Sequence, residues 1–299
     1  MSELFKKIEK LEQKRKELFS SYTKFMTIAV VSILTAILLS ILSEFYFLFV
    51  VGLIPAFIFF SKAQALSKQF KNTIKDELVH IVLEDKFDEV FYDRHQSISE
   101  SIINETGLVK RPDRFSGEDY IRGKYKGVSF EVSDVTLRER REHVDSKGNR
   151  TVTYPVYFKG RWYKYKFPKN FKGSLKICES YPRERRGLEK VETESIAFNK
   201  KFRLFASEKQ YAFYHLTPIM MEKLLELEKL HRGHIYFYYN KDELHIGVND
   251  SQDYLEIPFN KTIDEKAMNA FEGDVDLIPA IINELKLTSS KLLLLNEMS

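Results

Sequence analysis

Residues 25–60, FMTIAVVSILTAILLSILSEFYFLFVVGLIPAFIFF, hold a single charged residue, Glu44, near their midpoint. A straight helix through this block would run ~54 Å at ~1.5 Å per residue, against a bilayer hydrocarbon core of ~30 Å. Two crossings fit better than one, so the block reads as a membrane hairpin. Its first pass covers residues 25–42, Ser43 and Glu44 make the turn, and the second pass covers residues 45–60. Each pass is short for a spanning helix, which predicts little tilt and some bilayer thinning. At the hairpin tip Glu44 reaches headgroup water and needs no intramembrane role. The block is too long for a signal-peptide core and lacks a small-residue cleavage site.

The flanks set the orientation. Lys6, Lys7, Lys10, Lys14, Arg15, Lys16 and Lys24 precede the block, and Lys62, Lys68, Lys71 and Lys75 follow it. Basic residues on both sides, and none in the turn, place both chain ends in the cytoplasm. Residues 1–24 carry Leu4, Ile8, Leu11 and Leu18 at helical spacing, an amphipathic helix leading into the membrane. Residues 61–109 continue with Phe70, Ile74, Leu78, Ile81 and Val82 and read as a membrane-proximal helical stalk. A tight hairpin returns the chain beside its start, so the two helical stretches either pack on each other or recruit other copies into a homo-oligomer.

Residues 110–299 read as one α+β domain. Period-two alternation through Phe130 and Val132, then Val152, Tyr154, Val156 and Phe158, marks antiparallel strands. Asp145 to Asn149, which includes Gly148, is the best hairpin loop. Ser97 with Glu100 and Thr262 with Glu265 have capping-box spacing, and Thr217-Pro218 starts a helix carrying Leu224 and Leu227. Ile278, Ile281, Ile282 and Leu285 predict a closing helix.

Composition limits the function. The net charge of +4, from 47 basic and 43 acidic residues, gives no bulk argument for nucleic acid. Cys178 is the lone cysteine, consistent with a reducing compartment. No phosphate-binding Gly-rich loop, paired cysteines, zinc-protease helix or nucleophile elbow occurs, so the reading assigns no catalytic residue, metal or cofactor. Glu226, Glu228, His231 and His234 come nearest to a metal set, but Gly233 ends the helix between the histidines. Trp162, Tyr163, Tyr165 and Phe167 would make a stacking platform only if they shared an exposed face, and strand alternation sends about half inward. Two arginine groups remain as candidates for anionic partners: Arg138, Arg140 and Arg141 in a strand, and Arg183, Arg185 and Arg186 in a loop. Glu139, Glu142 and Glu184 offset part of that charge.

Asp119-Tyr120-Ile121 with Gly123, Tyr125 and Gly127, Ser133-Asp134-Val135, Phe158-Lys159-Gly160 before Trp162, Glu194-Ser195 with Phe198-Asn199, and Leu216-Thr217-Pro218 follow in order. In layout and motifs the chain resembles a bacterial membrane-protein family known as domain of unknown function number three-one-three-seven, some members of which are labelled galanin-like. The resemblance implies a bacterial inner-membrane protein with a cytoplasmic domain and supplies no activity. It also implies a neighbourhood with LemA-type membrane proteins, hence a shared assembly. The expectation is a membrane-anchored interaction or scaffold protein that binds a protein partner or anionic lipid headgroups. The alternative is a membrane-associated enzyme with a site assembled from dispersed residues.

Overall fold

The computed structural model describes residues 3–43, 47–87, 89–168, 170–171, 173–185, 187–230 and 233–284. The hairpin tip at Glu44, together with Arg186, His231 and Leu285, lies outside the described residues. The fold is α+β, with long apolar helices at the N-terminus followed by an antiparallel sheet with helices.

Two compact units divide the chain: Met1–Val82 with Leu255–Glu272, and Leu83–Tyr254 with Gly273–Ser299. This differs from a soluble domain running unbroken from residue 110, because residues 255–272 return to the N-terminal helices. The first unit is built on α1 (Glu3–Ser43) and α2 (Phe47–Phe70), and a π-helical turn, Lys71–Lys75, joins α2 to α3 (Asp76–Lys86). Amphipathic start and apolar continuation form one helix of 41 residues, since no glycine or proline interrupts them. Stretches Lys6–Leu42 and Phe49–Lys86 are long and apolar enough to cross a membrane by length and composition.

Small side chains line the seam between α1 and α2. Ala29, Ala36, Ala56 and Ala63 are buried, and a Cβ on Gly52 would come within 2.2 Å of the Ala36 Cβ. That close approach requires glycine. The large side chains point away, with Leu42 and Phe57 each 72% exposed. Hydroxyls of Thr23, Thr27, Ser32 and Thr35 donate to carbonyls one turn earlier at 2.8–2.9 Å, so they present no unmet polar group on that outer surface.

At the other end of this unit, Phe259 packs its ring on Phe19, Tyr22 and Phe70, with centroids 5.3, 5.4 and 4.6 Å away. Glu12 and Arg15, both buried on α1, pair at 2.7 Å; Glu12 accepts from the Ile263 amide, and Arg15 donates to the Phe259 carbonyl. Phe259 and Ile263 of this chain thus cover part of the helices that flank the apolar block. Asp264, rather than Thr262, caps α8 (Glu265–Glu284), its carboxylate accepting from the Ala267 amide.

The second unit carries a nine-stranded antiparallel sheet in the order β1-β2-β3-β6-β11-β10-β7-β9-β8. The strands are β1 (Val90–Asp93), β2 (Arg114–Tyr125), β3 (Val128–Arg138), β6 (Val156–Lys166), β7 (Leu175–Cys178), β8 (Glu189–Val191), β9 (Arg203–Ala206), β10 (His234–Asn240) and β11 (Glu243–Asn249). The ribbon β4 (Arg141–Val144) and β5 (Arg150–Thr153) stands apart, exposed throughout, and its turn is held by Asp145 accepting from the Lys147 and Asn149 amides. On one face Phe158, Trp162, Val135 and Leu137 pack against Ile98 and Ile103 around α4 (Glu100–Glu105). Ser99 occupies the N-cap of α4; Ser97 instead sits where a Cβ on Gly117 would meet it at 2.5 Å. Short helices α5 (Ile196–Lys201) and α6 (Lys209–His215) follow β8 and β9, and α7 (Pro218–Leu230) begins where Thr217 accepts from the Met220 amide.

Arg161, 0% exposed, lies opposite Asp134 across β6 and β3 and pairs with it at 2.7 Å. Asp134 also accepts from the Tyr254 amide, and Arg161 donates to the Asp274 carbonyl of α8. Burial pushes the Asp134 carboxyl upward, against the pull of the Arg161 charge. Arg161→Met is expected to cost about 3–5 kcal/mol, because it strands the Asp134 carboxylate in the interior. Replacing both partners, Arg161→Met with Asp134→Leu, should cost less; thermal melts of the full chain in mild detergent measure both, and equal losses would contradict the pairing.

Candidate functional site

The face of the sheet that carries Trp162 also carries a basic, aromatic patch. Alternation along β7 and β9 places Lys176 beside Phe205 and Cys178 beside Arg203 on this side. The loop after β7 folds back over them: the Arg183 and Glu184 amides donate to the Leu108 and Gly107 carbonyls at 3.2 and 2.9 Å. Lys176, buried beneath, donates to the Glu184 carbonyl at 2.8 Å and lies 4.7 Å from the Tyr238 ring centroid. Burial lowers its pKa.

At the centre of the patch is Tyr181, 57% exposed. The Arg203 and Arg185 guanidinium groups lie 4.9 and 5.8 Å from its ring centroid, and Arg185 also reaches Phe205 at 5.4 Å. Cation–π contacts of this kind restrict long side chains without neutralising them. Arg203 is further fixed by donating to the Glu179 carbonyl at 3.1 Å. Among the described residues Arg183 and Arg185 have no acidic partner within ion-pair distance. Beside them lies a cleft of about 190 Å³ lined by Leu108, Lys110, Tyr157, Tyr181, Arg183 and Tyr236. Burial raises the Tyr157 and Tyr236 phenols, which keeps both protonated. Tyr157 donates to the Lys110 carbonyl, and Tyr236 and Ser180 share a 2.8 Å hydrogen bond.

The two arginine groups of the sequence therefore separate. Arg140 pairs with Glu142 at 2.7 Å and Arg141 pairs with Glu139, both in or beside the exposed ribbon. Arg138 ends β3 opposite Arg114, which stacks on the Tyr154 ring at 3.5 Å. Arg183 and Arg185 are instead joined by Arg203, which the sequence did not single out, and by Lys110 at the far end of the cleft, paired with Glu139 at 3.3 Å.

Trp162, Tyr163, Tyr165 and Phe167 are all buried, which removes the stacking platform. Glu228 pairs with Lys201 at 2.5 Å, His234 is exposed at the start of β10, and no group of three metal-binding side chains occurs among the described residues. Several of the quoted motifs have structural roles: Asp119 accepts from the Tyr92 hydroxyl at 2.6 Å, Ser133 from the Ile98 amide, and Ser195 caps α5. At Gly160, φ is +148° and a Cβ would meet the Val248 carbonyl oxygen at 2.2 Å, so the close strand crossing admits only glycine.

Residues 156–287 match the family described as Protein of unknown function (DUF3137). Over those residues the chain is similar to this family. The match covers 132 of 299 residues, from β6 past the end of α8, and so includes Arg161, Tyr181 and Arg203. No curated protein matches the chain. The crystal structure of the mycobacterial trehalose monomycolate transport factor A, TtfA, aligns over 65% of this chain and 88% of that one, at 6% identity and a TM-score of 0.36.

Cys178 belongs to the core of the second unit, and burial pushes its thiol up to about 12. The thiol is therefore almost wholly protonated at pH 8 and should resist alkylation in the folded chain. Mass spectrometry after maleimide treatment should find Cys178 unmodified until denaturant is added; rapid labelling of the native chain would contradict this placement.

Proposed function

We propose that this protein is a membrane-anchored, non-enzymatic interaction protein that takes an acidic segment of a partner protein on the face around Tyr181. In this reading α1 and α2 cross the bilayer, both chain ends lie on the reducing side, and the region similar to DUF3137 supplies the recognition surface. The carrying observation is an exposed tyrosine in contact with two guanidinium groups, with further cationic charge from Arg183, which has no acidic partner among the described residues. Tyrosine and arginine are the residue types that dominate binding hot spots, because both offer large contact area together with directed polar groups. A shallow, basic and aromatic cleft suits carboxylates displayed on a protein better than a small substrate. The family resemblance makes a LemA-type membrane protein one candidate partner.

The test uses full chain expressed in its own membranes with benzoylphenylalanine in place of Tyr181. Ultraviolet light should produce one defined protein adduct, reduced at least tenfold when Arg183 and Arg185 are both changed to Ser. Adducts with phospholipid alone would transfer the face to lipid recognition, and a protein adduct indifferent to both arginines would contradict the charge-based reading.

A further inference from the structure

On the opposite face of the sheet, α7 and α8 stand apart and leave a cleft of about 420 Å³. Ile235 and Phe237 of β10 and Ile246 of β11 form its floor, and Leu227, Leu277 and Ile281 form its walls. The floor is buried, while the wall residues are half-buried, so apolar surface faces the opening and no described residue covers it. A volume of this size falls within the roughly 300–1,000 Å³ of small-molecule sites and is too small for a partner helix with its side chains.

One end of the cleft is polar. Tyr163, Tyr254 and Asp274 line it there, and all three enclose Arg161. The guanidinium lies 4.1 Å from the Tyr254 ring centroid and donates through Nη1 to the Asp274 carbonyl, while its buried Nη2 has no hydrogen-bond partner among the described residues. A buried donor left unmet is costly, and a fully buried guanidinium is the last place to find one. Tyr163, itself buried on the same strand and within electrostatic reach of Arg161, brings a phenol to the cleft wall. An apolar trough that ends in a phenol backed by an unsatisfied guanidinium matches a molecule with a hydrocarbon body and an oxygen acceptor at one end.

We propose that this cleft binds a single-chain amphiphile, a fatty acid or a monoacyl lipid, with its chain along the sheet between α7 and α8 and its carboxyl or ester oxygen at the Tyr163–Arg161 end. Lys223, Glu226, Gln252 and Asp250, which accepts from the Tyr254 hydroxyl, border the same cleft as polar rim. The site lies on the face opposite Tyr181 and shares no lining residue with the cleft there, so the proposal stands independently of which partner that surface takes.

The test is photolabelling of the full chain in native membranes with palmitic acid bearing a mid-chain diazirine, followed by peptide mass spectrometry. Labels should fall on peptides spanning residues 218–230, 234–248 or 273–284. Ala280→Trp, which fills the cleft, should reduce that labelling at least tenfold. Tyr163→Phe keeps the shape and removes the hydroxyl. It should weaken labelling by the fatty acid roughly threefold to tenfold, the size expected for one neutral hydrogen bond, and leave labelling by a diazirine alkane unchanged. This second comparison decides the matter even if the tryptophan variant fails to fold. Labels confined to residues 25–60, or cleft labelling that Tyr163→Phe leaves equal for acid and alkane, would overturn the proposal.

Discussion

Apolar surface on α1 and α2 that nothing among the described residues covers is the constraint on which the reading of this protein depends. Ala29, Ala36, Gly52 and Ala56 are spent on bringing the two helices together, and Leu34, Ile41, Leu42 and Phe57 are turned outward. Water is a poor solvent for that arrangement, since a soluble core buries large side chains and exposes small or polar ones. Lipid reverses the preference. In hydrocarbon, close backbone approach drives helix pairing, and threonine and serine hydroxyls must return to their own helix, as Thr23, Thr27, Ser32 and Thr35 do.

In the second unit the same period-two alternation that builds the sheet also sorts its chemistry. Neighbouring residues of β6 serve opposite sides: Trp162 joins the core under α4, while Arg161 and Tyr163 face α8. Lys176, Phe205 and Arg203 accordingly gather under the Tyr181 loop, and Ile235, Phe237 and Ile246 gather under α7 and α8. One sheet thereby offers a cationic, aromatic surface on one side and an apolar trough on the other. The Arg161–Asp134 pair fixes the second side, because it ties β6 and β3 to α8 and to the backbone at Tyr254.

Local pattern made a large part of this legible. The apolar block, the strand alternation, the Asp145 turn and the Thr217-Pro218 helix start are all encoded within a few residues of where they act, and each is present. Capping was harder to place: Ser97 and Thr262 have the right spacing, but Ser99 stands at the first cap position, without a side-chain bond to the helix amides, and Asp264 accepts from the Ala267 amide at the second, since several short polar residues near a helix start suit that position. Long-range features were not legible. Nothing near Phe259 announces that it packs on Phe19 and Phe70, or that Arg203 lies beside the ring of Tyr181. The arginines close in sequence, Arg140 and Arg141, are occupied by their own neighbours Glu142 and Glu139, whereas the patch around Tyr181 is assembled from separate segments. A buried arginine such as Arg161 has no local signature, because its burial depends on the strand paired beside it.

Membrane residence is the claim beneath the functional account, and alkaline carbonate extraction of membranes from cells expressing the full chain tests it most directly. High pH opens vesicles and strips proteins held by charge or by a partner, but leaves those whose helices are surrounded by lipid. The chain is expected to remain in the pellet at pH 11 and to enter solution only with detergent. Recovery of the chain in the carbonate supernatant would contradict it.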